Sequence, residues 1–71
     1  MRRYHVELTK VSTGRVSGVV KRNGLVIHNA EFDEFSEAAR DAREAAKHHA
    51  VSLGEAFSDD DIYVALTTQR R

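Results

Sequence analysis

The chain has no cysteine, no proline and no tryptophan. Without thiols it can form neither a disulfide nor a thiolate metal site, and the lack of both fits a reducing, cytoplasmic location. No apolar run is long enough to span a bilayer. The basic start Met1-Arg2-Arg3-Tyr4-His5 is not followed by the apolar stretch of a signal peptide, so no membrane contact is expected. There is no excess of one charge either: 11 Lys and Arg balance 11 Asp and Glu, and with 41% apolar residues the composition is not that of a disordered chain. Seventy-one residues make one domain, 1–71. A chain of that size buries only about 60% of its unfolded surface, so one well-formed core or a second subunit must hold it.

What is present is a clear change of period. Tyr4, Val6 and Leu8 alternate with His5, Glu7 and Thr9, the pattern of a half-buried strand running to Val11. Arg15 to Arg22 places Val16, Gly18 and Val20 on one face, and Leu25 to Phe32 forms a third strand. Asn23-Gly24 between them is a hairpin signal, because a type I′ turn needs positive φ at both central residues. A two-residue turn there predicts Val20 opposite Ile27 and Val19 opposite His28. For the first hairpin, a three-residue loop Ser12-Thr13-Gly14 with Gly14 left-handed pairs Val6 with Val20 and Leu8 with Gly18, and His5 with Lys21. This register keeps Tyr4, Val6, Leu8, Val16, Val20 and Ile27 on one face. Gly18 opposite Leu8 marks a close approach by a helix, or a bulge.

From Asp33 the period becomes helical: Phe35, Ala38, Ala39, Ala42, Ala45, Ala46, His49, Ala50 and Leu53. Asp33 or Ser36 is the expected N-cap and Gly54 the residue just past the end. Phe35 and Leu53 should anchor the two ends of an alanine stripe that lets the helix sit close to the sheet. After an acidic loop, Glu55 to Asp61, the stretch Ile62 to Thr68 alternates again, with Ile62, Val64 and Leu66 inward. The expected fold is α+β, order β-β-β-α-β: a four-stranded sheet, its first three strands antiparallel, with one helix on one face. The fourth strand, in the direction of the third, joins either strand one or strand three. The expected core is Tyr4, Val6, Leu8, Val16, Val20, Ile27, Phe35, Ala39, Ala42, Ala46, Leu53, Ile62, Val64 and Leu66.

No constellation carries catalysis. The polar candidates are Ser, Thr and His without fixed spacing, and so small a domain has little room for a cleft. The chain therefore reads as a non-enzyme without cofactor. His5 and His28 are expected on the outer sheet face on non-neighbouring strands, and His48 and His49 point apart, so no metal site is expected. Asp59-Asp60-Asp61 lacks the length and glycine of a calcium loop. Charge is segregated, with Arg2, Arg3, Lys10, Arg15, Lys21 and Arg22 in the first two strands and acids through the helix and the following loop. Two partner surfaces follow. Val11, Val19, Val26 and Tyr63 form an apolar stripe on the outer face, suited to a protein target or a second copy in a homodimer. Arg15, Lys21 and Arg22 of the basic hairpin offer a less favoured contact to nucleic-acid phosphates, since the face lacks stacking aromatics apart from Tyr63.

Tyr4-His5-Val6 at the start, and the run Asp33-Glu34-Phe35-Ser36-Glu37-Ala38-Ala39-Arg40-Asp41-Ala42-Arg43-Glu44-Ala45, resemble the HicB-like antitoxin family over residues 4–68. The Pro-Gly-Cys element of that family between strands two and three is absent, and Asn23-Gly24 stands at a different kind of turn. The resemblance implies a partial RNase H-like fold and a stoichiometric inhibitor that occludes a partner. The layout is also similar to small phage anti-CRISPR proteins, which block a host complex. Both resemblances imply a bacterial or phage protein that binds protein, and neither brings a catalytic residue.

Overall fold

Two tight turns set the sheet. A computed structural model describes the chain from residue 2 to residue 68, with Thr68 by its backbone alone. Strand β1 (Tyr4–Lys10) turns into β2 (Val16–Arg22) through Ser12-Thr13-Gly14. The Gly14 N–H donates to the Val11 carbonyl at 2.9 Å and the Val11 N–H to the Arg15 carbonyl at 2.9 Å. Gly14 has φ +89°, the left-handed geometry the three-residue loop requires. Strand β3 (Leu25–Phe32) follows Asn23 and Gly24, both at positive φ (55° and 79°), as a type I′ turn demands. Helix α1 (Phe35–Ser52) returns over the sheet, a 3-10 turn spans Asp59–Asp61, and β4 (Ile62–Thr68) closes the order β3-β2-β1-β4. Thus the fourth strand joins strand one, parallel to it, with Val6 beside Val64 and Leu8 beside Leu66. No helix is long and apolar enough to cross a membrane among the described residues.

The first hairpin has the expected register: Val6 faces Val20, Leu8 faces Gly18 and His5 faces Lys21. The second departs from it. Lys21 pairs with Val26, but Val20 pairs with His28 and Val19 with Asn29, leaving Ile27 as the extra residue of a bulge. One added residue reverses the alternation beyond it. His28 therefore lies on the helix side rather than the outer face, where its Nε2 is 2.7 Å from Asp41 Oδ2 on α1. Ile27 is only half-buried against the core.

The helix begins at an N-cap that is neither Asp33 nor Ser36. Glu34 holds the position with extended backbone and no side-chain cap bond. Its far end is a Schellman closure, in which the Gly54 N–H donates to the Val51 carbonyl and the Glu55 N–H to the Ala50 carbonyl, both at 2.9 Å. The innermost column is Ala38, Ala42, Ala46 and Ala50, packed on Tyr4, Val6, Leu8, Val16 and Val20. Phe35, Ala39 and Ile62, expected in the core, are partly buried at its margin together with Phe32, Ala45 and Phe57. Leu53, expected to anchor the helix end, is 55% exposed because the Schellman turn carries the chain away there. Val64 and Leu66 are also outside the core, at 44% and 67% exposed. The helix seals the inward residues of β1 and β2, lies also against β3, and barely meets β4.

Gly18 faces the helix at Ala38. A Cβ there would lie 3.4 Å from Leu8 Cδ2 and 3.6 Å from Ala38 Cβ, which is ordinary contact. Gly18→Ala is therefore expected to be near neutral in urea unfolding, whereas Gly18→Leu drives a branched side chain into the alanine column. A loss of about 2 kcal/mol or more is expected for it. Equal stability of the two variants contradicts this packing.

Candidate functional site

Four segments meet at the end of the sheet where β1 starts, and a single carboxylate ties them. The Schellman turn sets Glu55 just past α1. Arg22, last residue of β2, donates from Nη1 to Glu55 Oε1 at 2.8 Å and from Nη2 to Oε2 at 2.9 Å, a two-point contact. Arg3 donates from Nη1 to the same Oε1, and from Nη2 to Asp61 Oδ2 at 2.9 Å and to the Ala56 carbonyl at 2.6 Å. Arg22 Nη1 also donates to the Tyr4 hydroxyl at 2.8 Å, and its guanidinium lies 5.2 Å from the centre of the Tyr4 ring. The Tyr4 oxygen thus accepts from Arg22 and is also hydrogen-bonded with His49 Nδ1 at 2.9 Å. Tyr4 has no exposed surface. The hydrogen bond from Arg22 holds the Glu55 carboxyl below its ordinary range, and that from Arg3 does the same for Asp61. Both guanidiniums are correspondingly harder to deprotonate, Arg22 through Glu55 and Arg3 through Asp61. The groups of this cluster are engaged with one another, which makes it a clasp joining the N-terminal strand, β2, the helix end and the start of β4.

The sheet spreads the residues of the expected outer-face stripe apart. Across the outer face run the rows Val26, Lys21, His5, Tyr63 and Asn29, Val19, Glu7, Ala65. Val19 and Val26 are diagonal neighbours, but His5 and Lys21 separate them from Tyr63, and Val11 lies beyond the end of β1. Val26 is 52% exposed, so neither it nor Val19 is under the helix. Tyr63 is flanked by the His5 ring, edge-on at 5.0 Å, and by the Arg2 guanidinium at 5.8 Å. The three hairpin cations each have a carboxylate at hand: Arg15 meets Asp33 at 3.3 Å, Lys21 meets Glu7 at 3.3 Å, and Arg22 is held by Glu55.

Among the described residues, no group of three or more His, Asp or Glu is placed to hold a metal ion. In the acidic loop, Asp59 is taken by Arg43 at 2.7 Å, and Asp61 by Arg3 and by the Ser58 N–H at 2.9 Å.

The surface that sequence reasoning missed is the helix side of β4. Val64 and Leu66 alternate as core residues do, yet lie uncovered beside α1. A shallow groove of about 250 Å³ runs between helix and strand, lined by Val6, Ala39, Ile62 and Val64 and rimmed by the Arg43–Asp59 pair. The free edge of β4 reads Ile-Tyr-Val-Ala-Leu-Thr-Thr, without charge, proline or bulge. The opposite edge, β3, has a bulge and Glu31. Charged residues and bulges are what discourage strand pairing, and β4 has neither. The signal was available in the sequence as one helix for four strands. Comparison with family models, with curated proteins and with solved structures gave no match.

The clasp has a pH signature. Carboxyls whose folded pKa is depressed add stability that is fully present above their unfolded values, near pH 4, and is lost as pH falls through the folded ones. The urea midpoint is expected to hold from neutral pH down to about 5 and then to fall. Glu55→Gln should lower the midpoint at neutral pH and flatten the acid decline, since the variant no longer has that carboxyl to protonate. An unchanged acid slope in Glu55→Gln contradicts a stabilising role for the clasp.

Proposed function

We propose that the chain is a non-enzymatic protein-binding module, a stoichiometric inhibitor that acts by covering a partner surface in the manner of antitoxin or phage anti-defence proteins. The observation that carries this reading is the β4 margin: an uncharged edge strand whose helix-side residues Val64 and Leu66 are 44% and 67% exposed among the described residues. Such a margin binds by main-chain pairing along the edge and by seating apolar side chains in the adjoining groove. The clasp keeps β4 in register with β1 while nothing covers its other side, so the surface is preorganised rather than formed on binding. The contact is by the β4 margin rather than the outer-face stripe, whose Val19 and Val26 are cut off from Tyr63 by His5 and Lys21.

The alternative, a nucleic-acid contact through Arg15, Lys21 and Arg22, is weakened by the carboxylate beside each of the three. Two experiments separate the readings. The immobilised chain should retain a discrete protein from bacterial lysate at stoichiometric yield, and Leu66→Asp should lose it while keeping its urea midpoint. Random duplex DNA should remain unbound at low salt. Steeply salt-dependent DNA binding that is reduced by Arg15→Ala and Lys21→Ala would establish the alternative.

A further inference from the structure

We infer that residues 56–68 form a strap that opens as one unit while the body made of β1, β2, β3 and α1 stays folded. Three observations carry this.

The first is where the core ends. Every buried side chain among the described residues lies between residues 4 and 50. From residue 51 to residue 67 none is buried, and of the large apolar residues there only Phe57 and Ile62 pack against the core, each in part. Lifting the strap therefore removes little apolar contact, while every residue it frees regains backbone freedom.

The second is how the strap is tied. Just past Gly54, at φ +74°, the Glu55 N–H still closes the helix and the Glu55 carboxylate holds Arg22, so Glu55 belongs to the body. The polar ties of the strap gather at its start. Arg3 grips Asp61 and the Ala56 carbonyl, Arg43 grips Asp59, and Arg2 donates to the Ile62 carbonyl at 3.1 Å. The Phe57 ring packs there too, 6.2 Å from that of Tyr4. From Val64 on, the main hold is the ladder to β1. Arg3, with one end on Glu55 of the body and the other on Asp61 of the strap, is the latch between them.

The third is the sheet. The ladder from β1 to β4 is its one parallel pair and lies at its edge. Parallel pairing is slightly weaker per residue than antiparallel. Breaking it leaves three antiparallel strands under a helix, a unit with its own apolar face and cover.

The closed strap presents the β4 margin. The open one withdraws it and bares the edge of β1, so the position of the strap decides which strand is free to pair. That consequence rests on the protein-binding reading. The opening itself does not.

Hydrogen exchange of the whole chain in rising, sub-denaturing urea tests the opening. Amides that bond β4 to β1 should exchange through an opening at least about tenfold more frequent than the one that frees the amides between β1 and β2. The urea dependence of the first set should be shallow, because the opening exposes little surface. Arg3→Ala should speed both sets by the same factor, since its contacts are lost in both open forms. Val16→Ala, in the core of the body, should speed the second set about tenfold and leave the first unchanged. One steep urea dependence shared by both sets overturns the proposal, as does equal acceleration of both by Val16→Ala, because β4 then leaves only when the whole domain unfolds. Exchange that climbs steadily from Ile62 to Thr68 also overturns it, as fraying rather than a unit. None of these results touches the protein-binding reading, which lysate capture through Leu66 decides.

Discussion

One helix cannot roof four strands. An α-helix with its side chains is about 10 Å across, and neighbouring strands are about 4.8 Å apart, so it covers two strands well and a third in part. Here α1 covers β1 and β2, where Tyr4, Val6, Leu8, Val16 and Val20 are sealed, lies in part over β3, and leaves β4 to graze its flank. The alanine column makes the choice sharper. Ala38, Ala42, Ala46 and Ala50 bring the helix down onto Gly18 and Val20, and short side chains cannot reach sideways to the edge strand. Close packing at the centre and an open margin at the edge thus have the same cause.

The clasp answers the difficulty this creates. β4 is held to β1 by its ladder but gains little from the helix, and on those terms alone an edge strand of a small domain frays. Arg3 bridges Glu55 and Asp61, while Glu55 is fixed by the helix-terminating turn and gripped by Arg22. The residue that ends the helix therefore also anchors the start of β4. This couples the exposed strand to the sealed core through Tyr4, whose hydroxyl belongs to the same cluster. The exposed strand is thereby tied to the core without a disulfide.

Much of this was legible in the sequence, for identifiable reasons. Alternation fixed β1 and β2, and requiring one apolar face selected the three-residue loop at Ser12-Thr13-Gly14, a register the structure has in full. Asn23-Gly24 correctly marked the turn but not the bulge after it: alternation placed apolar Ile27 inward, while the structure turns His28 to the helix side, where it meets Asp41 across a sequence separation that no local pattern shows. Val64 and Leu66 were misplaced because period two tells which face a residue is on and not whether anything covers that face. Leu53 was misplaced for a similar reason: helical spacing continues to it, while the backbone leaves the helix at Gly54. The clasp was the least legible part, since Arg3, Arg22 and Glu55 are far apart in sequence and meet only once β4 has been placed beside β1.

The central claim, that β4 is a ready-made pairing edge left open by a narrow helix, is tested most directly by hydrogen exchange of its amides in dilute solution. Alternate amides of Ile62–Thr68, those directed away from β1, should exchange quickly, while those directed at β1 stay protected. Equal protection of the two sets would contradict it.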